Sequence, residues 1–170
     1  MLIRIAEIAD LSAMVDIYNQ AISQGQRTAD TELFSVESRL GWFDAHPSKK
    51  YPLLVAVDVN SGSHNNEKII GYLTISPYRE GRKAFLATAE VSYYVHFDHH
   101  RKGVASQLIN HALGLCPSLN IKTLIAMLLG SNEASISFLE KYGFSEWGRM
   151  PVIAEFDQHS VDHLYYGKHI

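Results

Sequence analysis

The chain has 170 residues, 46% of them hydrophobic, with a formal net charge of −3 and a single cysteine. That length suits one compact domain over 1–170, and the slightly negative balance offers no basic stripe for nucleic acid or an anionic membrane. Cys116 alone excludes an internal disulfide, no apolar run approaches a membrane span, and "MLIRIAEIAD" lacks a signal-peptide core, so the expectation is a cytoplasmic protein with small-molecule partners.

Alternation in "LIRIAEI" predicts a first strand, and Asp10 offers an N-cap to a helix whose apolar face is Leu11, Met14, Val15, Tyr18 and Ile22. A second helix is expected after Ser35, carrying Val36, Leu40 and Phe43 until Pro47 stops it. "YPLLVAVDV" and "KIIGYLTISPY" read as a hairpin across the turn "NSGSHNNE", and "REGRKAFLA" as a polar connection rich in cations. In the next strand Ala89, Val91, Tyr93 and Val95 alternate with Thr88, Glu90, Ser92 and Tyr94, which sets Glu90 apart from the apolar face. A helix with Val104, Leu108, Ile109 and Leu115 follows, then the buried run "IKTLIAMLL", which makes a βαβ unit. A helix over "NEASISFLEKYGF" and strands near "EWGRMPVIAEF" and "VDHLYYGKHI" complete an α/β (α+β) fold, a mixed sheet with helices on both faces.

Between the Glu90 strand and the following helix lies "DHHRKGVAS". Unpaired amides at a helix start attract anions, Gly103 and Ala105 leave room for close approach, and Arg101 and Lys102 add positive charge, a combination that fits a pyrophosphate. The alternative is a glycine that only tightens a turn. Neither G-x-x-x-x-G-K-[ST] nor G-x-G-x-x-G occurs.

"HHRKGVA" resembles the acetyl-CoA pyrophosphate loop of the GCN5-related N-acetyltransferase superfamily, [QR]-x-x-G-x-[GA], and "NEASISFLEKYGF" is similar to that superfamily's next signature. "RTADTE", "RLGWF", "YPLLVA" and "ATAEVSYYV" resemble the branch of phosphinothricin and methionine-sulfone N-acetyltransferases. The resemblance spans nearly the whole chain. It implies a mostly antiparallel twisted sheet with a central parallel pair, acetyl-CoA as cosubstrate without a metal, a small amino-acid-like acceptor and a homodimer. His100 stands where the motif carries Gln or Arg, Leu139 where many relatives carry a Tyr or His that protonates the leaving thiolate, and Ser160 before Asp162 where the branch often has Trp.

The resemblance maps Glu90 onto the branch's catalytic glutamate, whereas the residues alone also allow a salt bridge on a solvated face. It also implies coenzyme contacts from the backbone of Tyr93, Tyr94 and Val95, from the loop residues Arg101, Lys102, Gly103, Val104, Ala105 and Ser106, and from Asn132, which is equally a helix cap. Arg79 and Arg82 suit an acceptor carboxylate or stand solvated, and Tyr78, Phe85 and Thr88 line the acceptor pocket or belong to core and strand. His96, His99 and His100 do not converge as zinc ligands, and Cys116 reads as a buried structural thiol. Other readings are a polyamine or protein N-terminal acetyltransferase of the same fold, or an acyl-CoA-binding module without turnover.

Overall fold

The computed structural model describes residues 1–25, 27–59, 67–157 and 159–170; most of the expected turn "NSGSHNNE" lies outside them. Seven strands form one sheet in the order β1-β2-β3-β4-β5-β7-β6: β1 (Leu2–Ile5), β2 (Leu53–Asp58), β3 (Lys68–Pro77), β4 (Thr88–Val95), β5 (Thr123–Leu129), β6 (Ser145–Phe156) and β7 (His159–His169). All neighbours pair antiparallel except β4 and β5, which run parallel. The helices are α1 (Leu11–Ser23), α2 (Val36–Asp44), α3 (Val104–Leu115) and α4 (Glu133–Lys141).

The sheet is clothed on both faces, as the near-continuous apolar runs of β2 and β3 require. Leu54 and Ala56 of β2 and Ala89 and Val91 of β4 pack with Val104, Leu108, Ile109 and Ala112 of α3 and Leu139 of α4. Leu53, Val55 and Val57 face the other way, against Met14, Ile17, Tyr18 and Ile22 of α1. At Gly71 a Cβ would lie 2.9 Å from Val104 Cγ1 and 3.1 Å from the Tyr94 carbonyl oxygen, so glycine is what lets α3 press onto β3. Cys116 is buried as expected, its Sγ 3.2 Å from the Ala112 carbonyl, and burial pushes the thiol up to about 11.

One expectation needs correction. Asp10 does precede α1 but does not cap it with its side chain. Its carboxylate accepts from the Glu7 amide at 2.8 Å and pairs with the Arg4 guanidinium through 2.7 and 2.9 Å bonds, which outbid a neutral helix amide. In α2 no side chain is fully buried: Trp42 and Phe43 pack against the α1 cluster and Leu40 is exposed, because α2 leans on α1 at the margin of the sheet. Ser35 caps α2 as expected, accepting from the Ser38 amide at 3.2 Å.

Candidate active site

Parallel pairing of β4 and β5 covers only Thr88–Thr123, Ala89–Leu124 and Glu90–Ile125. Beyond Glu90 the strands part: β4 stays paired to β3 through Val95, and β5 to β7 through Leu129. The backbone edges of Tyr93–Val95 and Ala126–Leu128 that face each other are left unzipped, and between them opens a cleft of about 480 Å³.

The end of that cleft is the glycine loop. Gly103 adopts φ +79° and Arg101 φ +59°, a pair of left-handed residues that turns the chain into α3, and a Cβ on Gly103 would point into open space. No side chain caps α3. Its hydrogen-bond ladder begins with Gln107 donating to the Gly103 carbonyl at 3.1 Å, so the amides of Val104, Ala105 and Ser106 have no helical acceptor, and all three residues line the cleft. His100 fastens the loop to β4: its Nε2–H donates to the Val95 carbonyl at 2.9 Å. A loop tied back by its own histidine holds its shape without the Gln or Arg of the motif.

Tyr93, Tyr94, Val95, Arg101, Gly103, Val104, Ala105, Ser106 and Asn132 all border the cleft, whereas Lys102 does not line it. Asn132 is both cap and wall. Its Oδ1 accepts from the Ser135 amide at 3.3 Å and from Arg27 Nη1 at 3.1 Å, which leaves its amide nitrogen as the free polar group. Leu139 is buried in the cleft wall and supplies no proton.

Glu90 stands on the opposite face of β4 from Ala89 and Val91, directly across from Ser76 of β3. It is half-buried, and burial raises its carboxyl above the usual carboxylate range, with the Ser92 side chain opposing. Glu90 does not line the cleft itself; it lies at the point where β4 and β5 begin to part. The expected acceptor residues form a separate group on the β3–β4 connection. Tyr78 meets Phe85 edge-on at 5.7 Å, the Arg79 guanidinium lies 5.6 Å from the Tyr78 ring centre, Arg79 and Arg82 are exposed, and Thr88 begins β4 half-buried. None of the five lines the cleft.

Among the described residues no group of His, Cys, Asp and Glu is arranged to hold a metal ion. His96 accepts from the Asp98 amide and His99 packs on the His96 ring, while His100 is held by Val95. Asp162, on β7 beside the end of β5, accepts from Arg149 at 2.6 Å and from the Val152 amide at 2.9 Å, and so secures an irregular stretch of β6.

Sequence reasoning missed Arg27, His46 and the pairing of Ser76. Arg27 reaches the cleft from the segment after α1, and His46 approaches Ser76 from past the end of α2. Ser76 carried a faint signal, a polar residue in an apolar strand; His46 carried none, since its partner lies 30 positions away.

The family model described as Acetyltransferase (GNAT) family matches residues 14–144. The candidate phosphinothricin acetyltransferase YwnH of Bacillus subtilis (strain 168) is 39% identical over 170 residues, covering 100% of this chain and 99% of its own length. An L-methionine sulfoximine/L-methionine sulfone acetyltransferase of Pseudomonas paraeruginosa is 29% identical over 153 residues, 90% of this chain and 85% of its own. A crystal structure of a phosphinothricin acetyltransferase from Sinorhizobium meliloti in complex with acetyl-CoA superposes with a TM-score of 0.89 at 25% identity, covering 99% of this chain and 88% of that one.

Proposed function

Because the chain belongs to the acetyltransferase (GNAT) family and is an N-acetyltransferase, we propose that it moves the acetyl group of acetyl-CoA directly to the α-amino group of a small amino-acid-like acceptor, both bound at once. The observation that carries this reading is the parted β4–β5 edge leading to three unbonded amides at the start of α3. Val104, Ala105 and Ser106 offer those amides to the pyrophosphate, with the helix dipole and Arg101 adding to the attraction. Free backbone groups along Tyr93–Val95 hold the pantetheine arm and donate to the thioester oxygen as it gains charge. The Asn132 amide nitrogen reaches the coenzyme from the opposite wall.

Glu90 is the general base. Its raised affinity for a proton suits it to relieve an ammonium, and its position at the parting of the strands puts it beside the path of the thioester. Arg79 or Arg82 engages the acceptor carboxylate, with Tyr78, Phe85 and Thr88 shaping the approach. Phosphinothricin, methionine sulfone and methionine sulfoximine are the acceptors that the relatives' names support. Leu139 gives no proton, so the coenzyme sulfur leaves as thiolate or takes its proton from water, as a thiol near the cysteine reference pKa of about 8.5 can do.

Thiol release from acetyl-CoA, screened over these amino acids, their carboxamides, polyamines and peptides, tests the reading. Glu90→Gln is expected to keep acetyl-CoA affinity and lose about 10² to 10⁴ in kcat. In the parent, kcat falls as pH drops through the raised Glu90 pKa, because only the carboxylate accepts a proton, and Glu90→Gln removes that acid limb. Turnover of the carboxamides at the parent rate would remove the Arg79 or Arg82 ion pair, and a parent-like kcat in Glu90→Gln would remove the base.

A further inference from the structure

The α2 side of the sheet holds a hydrogen-bonded pair for which the transfer step described above has no use. His46 sets Nδ1 2.7 Å from the Trp42 carbonyl oxygen and Nε2 2.9 Å from Ser76 Oγ. A carbonyl only accepts, so Nδ1 carries the proton, and in the neutral ring Nε2 is the acceptor for the Ser76 hydroxyl. Ser76 pairs with Glu90 across β3 and β4. Directly opposed residues in antiparallel strands carry their Cβ atoms on one face, about 5 Å apart. Glu90 and Ser76 therefore lie side by side on one face, Ser76 is bonded to His46, which is partly open to solvent, and the Ser92 side chain is the second hydroxyl beside the Glu90 carboxyl.

We propose that Ser76 and His46 are the proton exit of Glu90, a relay that returns the base to its carboxylate form while the acceptor occupies its open side. The inference rests on the reading of Glu90 as the base. The acceptor ammonium gives a proton to Glu90. The carboxylic acid so formed passes it to Ser76 Oγ as the Ser76 hydroxyl proton moves to His46 Nε2. Glu90 is again a carboxylate, Ser76 is a neutral alcohol as before, and the His46 imidazolium releases its proton to water or a buffer base.

Burial raises the proton affinity of Glu90 and lowers that of His46, which narrows the gap between the carboxyl and the imidazole and leaves the imidazolium ready to give its proton to solvent. The charged group that acts on His46 is Arg39 of α2, which opposes a lasting imidazolium. The Trp42 carbonyl holds Nδ1–H throughout, so the ring stays oriented in both protonation states.

The test uses Ser76→Ala, which cuts the relay, and His46→Gln, whose amide oxygen can still accept from Ser76 but cannot take up a proton. In weak buffer both are expected to lose about tenfold in kcat, short of the 10²-fold or more that loss of the base costs. Acetyl-CoA affinity stays at the parent value, and added imidazole restores kcat in a concentration-dependent way. Parent-like kcat in weak buffer for both variants overturns the relay, as does a loss that imidazole fails to restore, which marks a packing role. Glu90→Gln is run alongside. If it too keeps the parent kcat, the assignment of the base has failed; if it alone is slow, only the relay has.

Discussion

Helices α3 and α4 both begin on the wall of the same cleft, yet their first turns are finished differently. At α4 the Asn132 side chain accepts from the Ser135 amide and is itself held by Arg27. At α3 the residue in the corresponding place is Gly103, in a left-handed conformation, with no side chain to offer and three amides open. Capping adds about 1 kcal/mol to a helix start, so an uncapped start beside a cleft gives up stability that an anion can restore on binding. One end is closed by the chain itself and the other is left open.

The comparison is most directly broken at Gly103. Gly103→Glu places a carboxylate where the pyrophosphate is proposed to sit, and acetyl-CoA affinity measured by calorimetry should fall at least 100-fold, or about 3 kcal/mol, the scale of charge-assisted hydrogen bonds. Unchanged affinity would mean that the open amides serve no ligand. Asn132→Ala should do the opposite: it uncaps α4 and strands Arg27, with a loss of about 1–2 kcal/mol in urea unfolding. Asn132→Asp sharpens the contrast, since it keeps an acceptor for Ser135 and adds charge favourable to both Arg27 and the helix dipole, and so should retain the parent stability. Ser35→Ala, at a capped helix far from the cleft, should cost about 1 kcal/mol with no change in acetyl-CoA binding. The smallest effect is expected for Arg27→Met, about 0.5 kcal/mol in the same unfolding assay, because Arg27 is an exposed side chain bonded to an already capped end.

Much of this arrangement was legible along the chain. Ser35 reads as a cap and Pro47 as a stop because both act on their immediate neighbours. Gly103 with Ala105, between a period-2 strand and an apolar helix, marked the loop because the requirement for a bare, left-handed turn is local. Asp10 misled for an instructive reason: Arg4, on β1, competes with the helix amides for its carboxylate, and a charged donor prevails over a neutral one. Where α2 rests was not legible, since hydrophobicity cannot say which helix reaches the centre of the sheet and which lies at its margin.

The sequence by itself determined the order of strands and helices, the two faces of β4 and the position of the glycine loop, because alternation, helical period and backbone freedom are properties of neighbouring residues. Tertiary structure alone decided that β4 and β5 part after Glu90, that Arg27 meets Asn132 and that His46 meets Ser76 opposite Glu90. Those contacts join segments 30 or more residues apart, or depend on where two strands stop pairing, and such distances are set by the packing of α1, α2 and α3 on the two faces of the sheet rather than by any spacing along the chain.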